Sequence, residues 1–231
     1  MENNGMWYED FVTFKDTKVV FKKRDSGGNF EKSIIVPSVI YPLNDKYEAF
    51  TYKNTKPVTD EEILKIFDSV QYQIGRCYTN TEKLVAVLRA AGYDVKAYAG
   101  WLFMAGNEYP IHHAWCVLNE NSILDLADDL FLMLGGENGK YFEQAKSKDE
   151  KRALMVSFQA WARQLPNSKR CLPVGVPCPT MLYVGCPCEP EQARCVYNNL
   201  IRQYPAHECQ RNCDENGWNK TQKMFREAGL M

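Results

Sequence analysis

Branched and aromatic residues cluster in short alternating runs through the first fifty residues. Phe11–Phe14, Val19–Phe21 and Ile34–Tyr41 are predicted strands, and Asp25-Ser26-Gly27-Gly28-Asn29 between the last two is a turn. Near residue 59 the period lengthens. Thr59-Asp60-Glu61-Glu62 reads as a capping box, and Ile63, Ile66, Phe67 and Val70 follow at helical spacing, which predicts a helix ending before Gly75. A second helix is expected from about Cys77 to Ala91, with Leu84, Val85, Leu88 and Ala91 as its buried stripe and Gly92 closing it. Three strands then follow over Val95–Met104, Ile111–Leu118 and Ser122–Leu126, the last two joined through Asn119-Glu120-Asn121. Helices followed by antiparallel strands define an α+β class. Lys140–Gln164 has the pattern of a longer helix. Beyond Pro166 the prolines at 173, 177, 179, 187 and 190 break long elements, and short helices are expected over 191–203, 207–213 and 220–227. The chain thus divides into a core over 1–165, including the N-terminal strands, and a Cys/Pro-rich extension over 166–231 packed on its outside.

Composition narrows the function classes. Of 231 residues, 45% are hydrophobic and 25% charged, with a formal net charge of -1, which is the balance of a folded globular chain. No basic excess points to nucleic acid. No apolar run approaches the roughly 20 residues of a membrane helix, and Met1-Glu2-Asn3-Asn4 lacks the character of a signal peptide, so a cytoplasmic protein is expected. Nine cysteines and three histidines carry the candidate chemistry. Cys77 and Cys116 stand apart from the other seven, all beyond residue 170.

Cys77 lies at the mouth of a predicted helix, where unbonded amides and the helix dipole favour a thiolate. A cysteine nucleophile needs an imidazole to hold or move its proton and a third group to orient that imidazole. Period-two alternation sets His113, Trp115 and Val117 on one strand face, and His112, Ala114, Cys116 and Leu118 on the other. Asp125 ends the next strand, and an acid within an apolar strand requires a partner. With a three-residue turn at 119–121, Leu118 faces Ser122 and Asp125 faces Trp115, on the face of His113. A two-residue turn would bring Asp128 opposite His113 instead, making Asp128 the alternative acid and Asp129 a solvated neighbour.

Arg76-Cys77-Tyr78, Leu84 and Leu88, Gly92-Tyr93-Asp94-Val95, His113-Ala114-Trp115 and Leu124-Asp125 occur in an order that resembles the transglutaminase-like branch of the papain-like cysteine superfamily. The match covers about residues 60 to 130. It implies a papain-like α+β fold, with Cys77 as nucleophile, His113 as general base and then acid, and Asp125 orienting the imidazole. Leu126-Ala127 stands where the family commonly has Pro-Thr. The resemblance also implies a polar side chain ahead of the nucleophile that stabilises an oxyanion, for which Gln71 is the candidate and Gln73 the neighbour. Cys77-Tyr78 with Asn80 is similar to the arylamine acetyltransferases, although Ile74-Gly75-Arg76 replaces their paired glycines.

The implied function is a cysteine hydrolase or acyltransferase acting through a Cys77 thioester on a peptide or glutamine amide, a peptidase or amidase first. Transglutaminase, deamidase or acetyltransferase-like transfer is the alternative, and a catalytically silent protein-binding module the reading from another class. The partner expected is a protein or peptide, with no nucleic acid or membrane. Catalysis of this type needs no cofactor. In the extension, Cys186, Cys188, Cys209 and Cys213 are candidate zinc ligands, with Cys195 and His207 nearby; unliganded structural thiols are the competing reading, and disulfides a third that would require an extracellular setting. Tyr98, Trp101, Tyr109 and Trp115 either wall a substrate channel or fill the core.

Overall fold

The computed structural model describes residues 6–11, 17–25 and 28–36 as backbone, and then 48–104, 111–119, 121–126, 144–170, 173–178, 181–192, 194 and 223–230. Three N-terminal strands, β1 (Met6–Phe11), β2 (Thr17–Asp25) and β3 (Gly28–Val36), form one antiparallel sheet. The second sheet has five strands: β4 (Glu48–Phe50), β5 (Val95–Met104), β6 (Ile111–Leu118), β7 (Ser122–Leu124) and β8 (Met181–Pro187). Their spatial order is β4-β8-β5-β6-β7, every pair antiparallel. With its helices, the chain is α+β.

α1 (Glu61–Ser69) starts one residue later than its sequence pattern suggests. Asp60, not Thr59, is the cap, its carboxylate accepting from the amides of Glu62 (2.8 Å) and Ile63 (3.3 Å). It also stops well before Gly75, because Val70 turns extended. α2 (Cys77–Ala90) matches its expected span, and Gly92, at φ 86, follows its end. α3 (Lys148–Ala162) opens on a true capping box between Ser147 and Glu150. The described part of the 140–164 pattern is therefore helical chiefly from Lys148. The four-residue α4 (Asn167–Arg170) closes α1: Asn167 donates to the carbonyls of Phe67 and Val70.

One face of the five-stranded sheet packs on the helices. Leu84, Val85 and Leu88 of α2 and Ile63 and Phe67 of α1 join Val95, Ala97, Cys116, Leu118 and Leu124 in one buried cluster. Each fully buried leucine there contributes about 1.5–3 kcal/mol relative to exposure. The opposite face buries Phe50, Tyr98, Leu102, Trp115, Val117, Ile123 and Tyr183.

The five-stranded sheet also draws on the chain beyond residue 165. Residues 181–187 form an interior strand, hydrogen-bonded to β4 on one side and β5 on the other. Prolines mark where the strand ends, since Pro187 is its last residue and Pro190 lies beyond it. Of the three terminal helices expected, residues 190–192 and 223–227 include helical turns, and 195–222 lie outside the described residues.

Gly100 of β5 faces Gly185 of β8, and the backbones meet closely there. A Cβ on Gly100 would stand 2.1 Å from the Val184 carbonyl oxygen, a backbone atom that cannot swing aside. Gly100→Ala should therefore lower stability by about 1–3 kcal/mol. An unchanged urea midpoint for that variant would refute the close approach.

Candidate active site

The β6–β7 hairpin fixes the first half of the site. Its turn has three residues: Leu118 pairs with Ser122, Val117 with Ile123 and Cys116 with Leu124. Asn119 adopts φ 49, a left-handed conformation that asparagine tolerates, and the Asn121 amide donates to Leu118 O at 3.3 Å. This register carries Asp125 to the face of His113. His113 Nε2 donates to Asp125 Oδ2 at 2.6 Å, and both residues are buried, at 5% and 6% exposure. The alternative acid, Asp128, lies outside the described residues.

The second half is the entry to α2. Cys77 is the first residue of the helix and is half-buried. Arg76 provides no side-chain cap, and the first ladder bond belongs to Asn80, whose amide reaches Arg76 O at 2.8 Å. The Cys77 N–H precedes that ladder and is available to an anion. Buried Asn80 also fixes the approach to Cys77. Its Oδ1 accepts from the Gln73 amide at 3.0 Å and its Nδ2 donates to Gln73 O at 2.8 Å. Gly75, at φ 69, makes the bend between Gln73 and Cys77.

These pieces converge on one imidazole. Burial disfavours charge on the His113 ring, but the Asp125 charge and hydrogen bond, followed by Cys77 through hydrogen bonding and charge, outweigh it and push the His113 pKa up to about 10. The ring is thus an imidazolium at neutral pH. With Nε2 on Asp125, Nδ1 is the nitrogen left for Cys77.

His112 points to the other face and behaves oppositely. Burial, and then the positive charge of His113, lower its pKa to about 3. It stays neutral, hydrogen-bonded to the Tyr78 hydroxyl at the head of α2 and edge-on to Trp101 at 4.9 Å. Cys116 lies on this same face. Burial raises its pKa well above the ordinary thiol value, with the Asp125 charge adding and Arg89 opposing, so it remains a thiol.

Not every residue singled out from the sequence comes to this point. Gln71 is exposed and lines a groove with Tyr72, Arg163, Asn167 and Arg170, whereas half-buried Gln73 is held by Asn80 through its backbone. Tyr98, Trp101 and Trp115 are all at or below 3% exposure and belong to the core, and Tyr109 lies outside the described residues. Cys186 is buried in β8, and Cys188 follows the end of that strand, its amide donating to Ala97 O at 3.0 Å. Cys195, His207, Cys209 and Cys213 lie outside the described residues, and no group of three or more potential ligands assembles among the described ones.

One site residue escaped the sequence reading. The Tyr183 hydroxyl donates to Asp125 Oδ2 at 2.8 Å, onto the oxygen that already holds His113. The signal available was Met181-Leu182-Tyr183-Val184, a short apolar run of strand type hidden among prolines.

No family model matches the chain, and neither any curated protein nor any solved structure matches it. No helix among the described residues is long and apolar enough to cross a membrane.

The two histidines give stability opposite pH slopes. The raised pKa of His113 contributes stability that is complete below its unfolded value of about 6.5 and lost as pH rises toward 10. The depressed pKa of His112 contributes stability that is complete above about 6.5 and lost as pH falls toward 3. Melting temperature should accordingly decline on both sides of about pH 6.5. His113→Gln should flatten the alkaline decline and His112→Gln the acid one. Slopes that neither substitution alters would contradict the opposed pair.

Proposed function

We propose that the chain is a cysteine hydrolase or acyltransferase of papain-like arrangement that cleaves an amide, in a peptide or a glutamine side chain, through a Cys77 thioester. The observation that carries this reading is the buried His113–Asp125 hydrogen bond, which holds a proton on the imidazole beside Cys77.

The chemistry follows from that proton. The Cys77 sulfur attacks the carbonyl carbon, and the oxyanion forms against the Cys77 N–H at the head of α2. The C–N bond breaks as His113 gives its proton to the departing amine, leaving a thioester and a neutral ring. The ring then takes a proton from water as the hydroxide adds to the thioester carbonyl. Breaking the C–S bond releases the acid and restores the thiolate and imidazolium. An amine in place of water would give transfer, with identical steps at Cys77 and His113. A protein or peptide is the proposed substrate, and a reducing cytoplasm would keep the thiol available.

Alkylation of the native protein by iodoacetamide, followed by mass spectrometry, tests this reading. At pH 6, where an ordinary thiol is almost wholly protonated, Cys77 should react at least about tenfold faster than an exposed model thiol. His113→Ala should remove that advantage. If Cys77 reacts at the model rate and His113→Ala changes nothing, the enzyme reading fails and a silent binding module takes its place.

A further inference from the structure

Asp125 is buried, and a buried carboxylate is costly unless its oxygens are occupied by donors. Two donors converge on Oδ2: His113 Nε2 from β6 at 2.6 Å and the Tyr183 hydroxyl from β8 at 2.8 Å. They approach from strands on opposite sides of β5, so the carboxylate is held between them. Tyr183 is itself fixed. It is 1% exposed, and its ring meets that of Trp115 edge-on, with centroids 5.1 Å apart. Trp115 in turn fits over Gly185, where a Cβ would come within 2.6 Å of its Cη2. The phenol therefore has little freedom to leave the carboxylate.

We propose that Tyr183 is a positioning residue of the site: its hydroxyl fixes the Asp125 carboxylate facing the imidazole, and through it governs the reactivity of Cys77. The inference rests on the Cys77–His113–Asp125 reading and adds a fourth member from a distant strand. Tyr183 touches no reacting atom. Among the described residues, His113 from β6 and Tyr183 from β8 hydrogen-bond to Asp125, Cys77 lies beyond the imidazole, and the buried Cys116 thiol, on the opposite face of β6, feels the Asp125 charge through the sheet.

A control is built into the same cluster. Tyr98, stacked on Trp115 at 6.1 Å, donates its hydroxyl to Glu48 at 3.0 Å. Losing that hydroxyl perturbs the same aromatic cluster through its bond to Glu48 and leaves the Tyr183–Asp125 bond in place.

The test is the rate of iodoacetamide reaction at Cys77 in the full chain from pH 4.5 to 9, with melting temperature read in parallel. Tyr183→Phe should slow the reaction at pH 6 by about tenfold, a typical effect of losing a hydrogen bond to a charged group, and shift the acid limb of the profile to higher pH. Tyr98→Phe should leave the profile in place, whatever it does to melting. In an Asp125→Ala background, Tyr183→Phe should have no further effect on rate, because its route to Cys77 is gone. Global 3-fluorotyrosine incorporation, which makes the phenol a stronger donor without any substitution, should move the acid limb to lower pH. A wild-type profile in Tyr183→Phe, with His113→Ala still slow, would overturn the positioning role and leave the triad standing. Equal slowing with and without Asp125 would overturn it as well. Wild-type reactivity in His113→Ala would remove the triad and the inference together.

Discussion

A carboxylate shut away from water dictates much of the five-stranded sheet. Asp125 is tolerable where it lies because donors from β6 and β8 meet on its Oδ2. Removing one partner from a buried pair of this kind costs about 3–5 kcal/mol, since a charge is left without compensation. The requirement reaches into the register of the strands. Were the β6–β7 pairing to slip by one residue, Asp125 would turn to the face occupied by α2 and meet leucines instead. The turn at 119–121, the glycine pair between β5 and β8 and the stacked aromatics all serve to keep those donors in reach.

The same sheet separates two histidines that are adjacent in the chain. Strand geometry turns consecutive side chains to opposite faces, so one backbone step takes a ring from a charged setting to a neutral one. His113 has Asp125 and keeps its proton. His112 meets a phenol hydroxyl and an indole edge, and burial and the charge of its neighbour make protonation hard. One ring is thereby suited to moving a proton, and the other to anchoring the first turn of α2, whose first residue is Cys77.

What could be read in the chain depended on distance along it. The start of α2 at Cys77, the β6–β7 turn and the meeting of His113 with Asp125 follow from periods and turn chemistry within about a dozen residues. Thr59 and Asp60 are both good caps for α1 by local chemistry, and only the fold selects Asp60. Neither β4, with three residues, nor β8, framed by prolines, has a period long enough to register. Their strand character arises from pairing with residues far away. Tyr183 was invisible for that reason, being 58 residues from the carboxylate it holds. The family resemblance points to Gln71 by position alone, but α1 ends at Ser69, and the chain between α1 and Asn80 carries Gln71 to the surface.

The interior place of β8 has a consequence for the order in which the molecule can be completed. A growing chain can form α1, α2, β5, β6 and β7 from local contacts as they emerge, yet the sheet has a gap between β4 and β5 until residues 181–187 arrive to fill it. Until then Asp125 lacks its phenol and β4 lacks its neighbour. The thiol at Cys77 is made early in synthesis, but its full set of supporting contacts is delayed until the last strand of the sheet has left the ribosome.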